Sequence, residues 1–241
     1  MNKAAGYDFT WHFSRRYNAP MSRKKKIKTD IPDELREPLL EAALEHIPFD
    51  GWTDIILRKA AKDLDIDYGL ARLAFPQAPG DMIDALAASC DKKMSDAASL
   101  LELDKMKIRE RITTLIRLRL QEELPHRETA RRALTWLMLP QNQPLAIKLL
   151  NRTVDLMWRL SGDSSTDFNY YTKRLTLAGV YSSCFLYWLS DETENQTDTD
   201  AFIDRRIEDV MKIEKGKAEL RKWTGHLPDI WRQLGKMRYG Q

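Results

Sequence analysis

Residues 154–189 read VDLMWRLSGDSSTDFNYYTKRLTLAGVYSSCFLYWL. The first seven residues finish an amphipathic helix, and Gly162 stops it, since glycine accepts the left-handed conformation that closes a helix. A polar turn follows. From 175 to 189 the chain then carries no charged side chain. That run falls short of the about 20 apolar residues needed to cross a bilayer as a helix, and it contains threonine and serines. It reads as a buried helix. Tyr170, Tyr171, Lys173 and Arg174 stand immediately before it, a basic and aromatic doorway to an apolar interior. Asp163 and Asp167 read as turn and cap residues, with Ser165 or Thr166 as the N-cap.

Working outward, helical spacing continues on both sides. Leu145, Leu149 and Met157 face one way on a helix opened by Pro144, while Lys148, Arg152, Asp155 and Arg159 form another face. Before it, Ile112, Leu115, Ile116 and Leu120 mark a helix over 109–123, with Arg109, Arg117 and Glu123 off the apolar stripe. A further helix over 128–139 ends at Pro140. Leu39, Leu40, Ala43, Leu44 and Ile47 give a first helix that stops at Pro48. Thr53 caps a second helix through Leu64, Asp67 caps a short third one ended by Pro76, and a fourth covers 81–101. After the apolar run, 191–200 (DETENQTDTD) reads as an exposed loop. Phe202, Ile203, Ile207, Val210, Met211 and Ile213 then mark a helix to about residue 222. No stretch reads as a strand, so the fold class is all-α.

Charge is distributed unevenly over the 241 residues. Residues 1–30 hold eight basic and two acidic side chains, and residues 211–241 eight and three, which leaves the body acidic. Basic ends on an acidic body point to anionic partners such as phospholipid headgroups at the ends. Residues 1–30 read as a disordered leader, either a targeting segment or a basic arm. A last helix over 226–239 puts Leu227, Ile230, Trp231, Leu234 and Met237 on one face, with Arg232, Lys236 and Arg238 on the others. It suits a membrane interface or an ordinary docking contact. Cys90 and Cys184, far apart in apolar helices, indicate buried thiols in a reducing compartment.

The short helices over 39–76 have the layout of a helix-turn-helix and resemble the N-terminal domain of TetR-type regulators. Their charge opposes DNA binding. Residues 31–90 contain five basic and twelve acidic side chains, and the third helix offers only Arg72 toward phosphates. His12, His46, His126 and His226 lack a ligand partner at i+3 or i+4, and no CxxC, HExxH, GxSxG or glycine-rich phosphate loop occurs, so no metal, cofactor or catalytic residue is assigned.

LMLPQNQP (137–144), the run 154–183 with its DxSTDFNxYT core, and LLEAALEHIPFDGWT (39–53) resemble the lipid-binding accessory protein of ubiquinone biosynthesis, the ninth Coq protein of mitochondria and its bacterial relatives. The resemblance implies a TetR-like fold without DNA binding: a helix-turn-helix unit over 31–80, a lipid-binding and dimerisation domain over 81–222, and the amphipathic membrane helix over 226–239. It implies a homodimer with no enzymatic activity and no cofactor. Such a protein draws an isoprenoid quinone, or a phospholipid, from the bilayer into an apolar pocket and serves the di-iron demethoxyubiquinone hydroxylase. The location implied is the matrix side of the mitochondrial inner membrane, or the cytoplasmic face of a bacterial one. Arg174 matches a lipid-headgroup contact, with Leu175, Ala178, Ser182 and Phe185 as expected pocket positions. Asp155, Met157, Trp158, Tyr170 and Tyr171 match a hydroxylase patch, although Tyr170 stands where animal relatives carry tryptophan. The rival reading is a TetR-type transcriptional regulator with a hydrophobic ligand.

Overall fold

Apolar side chains at helical spacing, broken by proline, glycine and capping residues, give helices wherever the structure is described. The computed structural model describes residues 31–163 and 168–224, and no strand occurs among them. The leader and the helix over 226–239 lie outside the described residues, as do Ser165, Thr166 and Asp167.

Helices α1 (Pro32–Leu44), α2 (Ile47–Asp50), α3 (Asp54–Asp63) and α4 (Tyr68–Ala74) form the first unit. Leu35, Leu39, Ala43, Ile56, Leu57 and Phe75 are fully buried between them. The first helix ends at Leu44 rather than at Pro48. Proline has no N–H to donate and therefore suits a first turn, and here it opens α2. Thr53 sits at the start of α3 in extended backbone, but its side chain makes no capping hydrogen bond. Asp67 does cap α4, accepting from the Gly69 N–H at 2.8 Å and the Leu70 N–H at 3.3 Å.

Helix α5 (Gly80–Ser99) joins this unit to the rest of the molecule. Its first half, through Met82, Ile83, Leu86 and Cys90, belongs to the core of the first unit. Met94 and Ala98 belong to a second core. That second core is built by α6 (Ile108–Glu123), α7 (Arg127–Leu137), α8 (Gln143–Leu160), α9 (Phe168–Ser190) and α10 (Thr197–Thr224). Trp188, Cys184, Leu115, Ile116 and Met157 lie at its centre, each fully buried. Both cysteines are free and buried. Burial pushes the Cys90 thiol up to about 12, assisted by the negative Glu123, and the Cys184 thiol up to about 11.

The segment expected to be a loop over 191–200 is shorter, because α10 begins at Thr197. The cause is Asp191, 5% exposed, whose carboxylate accepts the backbone N–H groups of Thr193 and Thr199 at 2.8 Å each as well as both hydroxyls. It thereby satisfies the Thr199 N–H in the first turn of α10, where Asp198 and Asp200 add favourable charge. Burial acts to raise the Asp191 pKa, but these hydrogen bonds outweigh it and hold the group at about 2.

The C-terminal end of α9 is held from α7. Arg127 donates to the carbonyls of Trp188 and Asp191, and Arg131 donates to that of Leu189. Carbonyls at a helix end need such donors, and cationic ones also suit the negative end of the dipole.

Candidate lipid cavity and the doorway beside it

Small residues create space among the helices of the second half. Ala87 on α5, Ala130 and Ala133 on α7, and Ala146 on α8 face one another across a cavity of about 260 Å³. Leu134, Leu149, Leu150 and Phe185 complete its apolar wall. That volume lies near the lower end of small-molecule sites and fits a segment of an amphiphile rather than a large one entire. Met138 and Leu186, 68% and 55% exposed, also line it and mark where it meets the surface.

The other end of the cavity is polar. Arg119 is 3% exposed and donates through Nε to Asp91 at 2.8 Å and through a terminal nitrogen to Glu123 one turn away. Asp91 also accepts Thr153 Oγ1 at 2.8 Å and Arg152 Nε at 3.1 Å. Arg152 and Lys148 both reach Asp84. Burial alone acts to raise the Asp84 pKa, but the two cations pull it below the usual carboxylate range. Tyr181 packs beside Arg119, and burial pushes its phenol well above its ordinary value, so it remains protonated.

Sequence patterning missed this network. Glu123 is not off the buried face, as its polarity implied, but 6% exposed. A signal was present, since Arg119 and Glu123 are one turn apart and flanked by Leu115, Ile116, Leu118 and Leu120. Charges set in the middle of an apolar run have to be paired if the run is buried.

The doorway is organised by ion pairs around the α8–α9 turn. Gly162 adopts φ +85°, as a helix-closing residue does. Asp163, with a side chain 4% exposed, is more than a turn residue: it pairs with Lys173 at 2.7 Å and with Arg174 at 3.3 Å. Arg174 pairs with Asp155 at 2.8 Å and lies over the Tyr170 ring with 3.4 Å between guanidinium carbon and centroid. Tyr170 donates its hydroxyl to Asp155 at 3.3 Å and meets Tyr171 edge-to-face at 5.2 Å.

The residues expected to hold lipid therefore separate. Ser182 and Phe185 line the cavity. Arg174 does not; its guanidinium is already shared by two carboxylates and a ring. Leu175 is 77% exposed on the outer face of α9, and Ala178 is half-buried against the second core. The helical period explains this separation, since one face of the uncharged run turns inward, carrying Leu177, Val180, Tyr181, Cys184 and Trp188. Among the residues expected in a partner patch, Tyr171 is 69% exposed, and Asp155, Trp158 and Tyr170 are partly exposed. Met157 is fully buried and offers no surface; it points from α8 into the core, on the same stripe as Leu149. The Trp158 indole N–H is buried without a hydrogen-bond partner, beside a second apolar cavity of about 280 Å³ rimmed by Lys173 and Arg109.

The COQ9 family model matches residues 143–214, which covers α8, α9 and most of α10. The ubiquinone biosynthesis protein COQ9, mitochondrial, of Rattus norvegicus is 33% identical over 188 residues, covering 75% of this chain and 60% of that protein. Its Homo sapiens counterpart is 32% identical over 188 residues, with 75% and 59% covered. Over three quarters of its length the chain is similar to COQ9 proteins. It spans about 60% of the length of these curated relatives. The stretch matched by the COQ9 model contains the doorway, one long wall of the cavity, and the Asp191 cap. Among solved structures, a TetR transcriptional regulator from Nitrosomonas europaea superposes with a TM-score of 0.61 at 24% identity, covering 73% of this chain and 97% of that one. A TetR transcriptional regulator from a Rhodococcus species gives 0.57 at 14%, covering 73% and 94%. The chain thus has a TetR-like fold, helical throughout the described residues, with α1–α4 in the place of the helix-turn-helix unit.

Proposed function

We propose that this chain is a non-enzymatic accessory protein of ubiquinone biosynthesis that carries a polyprenylated quinone intermediate from the membrane to the di-iron demethoxyubiquinone hydroxylase. The observation that carries this reading is the apolar cavity between α5, α6, α7, α8 and α9, open to the surface at Met138 and Leu186. Similarity to COQ9 proteins and the printed names of those relatives support the pathway. A tail leaving a bilayer exchanges one apolar surrounding for another. Each methylene left in water costs about 0.8 kcal/mol, so a carrier needs an enclosed apolar site to compete. Tyr171 and the half-exposed Tyr170, Trp158 and Asp155 form the surface offered to the hydroxylase. In this reading residues 226–239, whose sequence pattern is amphipathic, dock on the membrane, and the working unit is a homodimer.

The rival, a TetR-type regulator, has the fold likeness in its favour. The acidic character of α1–α4 opposes it, since duplex binding rests on phosphate neutralisation. Incubating the full chain with liposomes that contain a polyprenylated quinone, reisolating it, and recording native mass spectra tests the proposal. A co-purifying quinone at near-stoichiometric occupancy is expected. A protein that emerges lipid-free overturns it, and salt-sensitive binding of duplex DNA by the same preparation favours the rival.

A further inference from the structure

The second cavity lies on the far side of α9 from the first. Ile108 and Ile112 on α6, Leu177 and Val180 on α9, and Ile207 and Val210 on α10 line about 280 Å³ of apolar space. It is open to solvent at its rim. Ile108 is 48% exposed, and Ile213, two residues past the lining Met211, is 57% exposed. Two further features suit the arrival of a helix end. The Trp158 indole N–H is buried there without an acceptor, and Arg109 and Lys173, the latter paired with Asp163, also line the site. A helix C-terminus brings unpaired carbonyls and the negative end of a dipole, which such donors and cations complement.

We propose that residues 226–239 dock in this groove when no membrane is at hand, so that one apolar stripe has two mutually exclusive seats, the groove and the bilayer. The docking stands on the groove and the chain length; its competition with a bilayer rests on the membrane-docking reading above. Helix α10 is one wall of the groove and continues to Thr224, thirteen residues beyond Met211, a rise of about 20 Å. A reversal at Gly225 followed by fourteen residues at helical rise returns about 21 Å. That brings 234–239 level with Met211 and Ile108. Leu234 and Met237 enter the apolar space, while Leu227, Ile230 and Trp231 continue the same stripe along α10. The last carbonyls of the segment accept from the Trp158 indole N–H and from Arg109. Its basic residues, Arg232, Lys236 and Arg238, come toward the adjoining groove, where Glu110, Asp204 and Glu208 stand beside Arg117 and Lys212. A short tether holds the segment at an effective concentration on the order of millimolar, which favours this occupant over a second copy of the chain. The docked fraction lowers the apparent affinity for a membrane in proportion, so the groove stows the segment between visits to the bilayer.

Hydrogen exchange of the full chain without lipid reads the docking, and flotation with vesicles of equimolar phosphatidylcholine and phosphatidylglycerol reads the competing seat. The parent, Ile108→Lys and Trp231→Glu are compared. Ile108 opens α6 and is half exposed, so its replacement spares the core; circular dichroism verifies folding, and Met211→Lys takes its place if it does not fold. In the parent, amides of 226–239 are expected to exchange more slowly than those of an unstructured chain, and equally so on dilution of the protein. Ile108→Lys should speed that exchange at least about tenfold and raise vesicle affinity about threefold. Trp231→Glu should lose both protection and flotation. Unprotected amides in the parent, or protection untouched by Ile108→Lys, overturns the docking and leaves the carrier reading standing. Protection that fades on dilution assigns the groove to a second copy and overturns it too. Faster exchange in Ile108→Lys with unchanged flotation overturns the competition between the two seats. A parent that is protected, sensitive to Ile108→Lys and unable to float keeps the docking and overturns the membrane reading instead.

Discussion

Replacing Arg174 by glutamine keeps the length of the side chain and removes its charge, which separates a headgroup contact from a structural staple. In the folded protein the guanidinium bridges Asp155 on α8 and Asp163 in the turn after it, and lies on the Tyr170 ring. The Asp155 pair is partly exposed and contributes roughly 0.5 kcal/mol. The stacking on Tyr170 adds about 1 kcal/mol. The Asp163 side chain is 4% exposed and keeps Lys173 at 2.7 Å, so losing its second partner costs about 1 kcal/mol rather than the full penalty of a stranded charge. The sum is about 2–3 kcal/mol. For a chain of this size each kcal/mol displaces the melting midpoint by about 2–4 °C, so a fall of about 5–10 °C is expected in a thermal melt. Affinity for a short neutral amphiphile, measured on the same sample below its midpoint, should stay within about twofold, because Arg174 is outside the cavity lining. A midpoint unchanged within about 1 °C refutes the staple. A large loss of amphiphile binding without loss of stability restores Arg174 as a lipid contact.

Four further outcomes are expected. Ala133→Leu adds three carbons to the cavity wall and should abolish binding of a decyl-tailed probe while changing stability by less than about 1.5 kcal/mol, read by calorimetry and urea melts. Asp191→Asn should destabilise the protein by about 1–2 kcal/mol at neutral pH through loss of the α10 cap. The Asp191 pKa is depressed to about 2 from an ordinary value near 4. Its contribution is therefore fully present above about pH 4 and disappears as pH falls toward 2, so the parent and the variant should converge in urea melts across that window. Met157→Ala should cost about 2–5 kcal/mol in a denaturant melt and affect hydroxylase pull-down only in proportion to unfolding. Tyr171→Lys should leave the melt unchanged and weaken the pull-down several-fold.

Helix content and the inward stripes of α6 and α8 were legible because periodicity reports burial directly. Proline was ambiguous in one place, since Pro48 reads as the end of a helix and in fact begins one; only the packing of Ile47 distinguishes the two. The early start of α10 was hidden for a different reason. DETENQTDTD has the composition of a loop, and it becomes helical because Asp191 supplies, from outside the helix, the acceptors its first turn lacks. At the site, residues that the resemblance grouped together are placed apart: Ser182 and Phe185 line the cavity, and Arg174 and Leu175 do not. Within an uncharged run every position looks equally suited to an interior, so Leu175 and Phe185 could not be told apart without the rotation of α9. The polar floor was invisible for the opposite reason: Arg119 and Glu123 look like surface residues, and it takes Asp91, 28 positions away from Arg119, to make their burial tolerable.

Arg127 and Arg131 reach from α7 to the last carbonyls of α9, and this ties together the two helices whose ends flank the cavity mouth. Swinging α7 outward would expose three carbonyls and two guanidinium groups at once, so the helices do not part as a gate. Passage then depends on rotamer changes of Met138 and Leu186, which are exposed and relax within nanoseconds. Uptake of a ligand from a micelle should accordingly be set by its departure from the micelle and not by a slow opening of the protein. The amides of the last turn of α9 should exchange with solvent at the same rate whether the cavity is filled or empty.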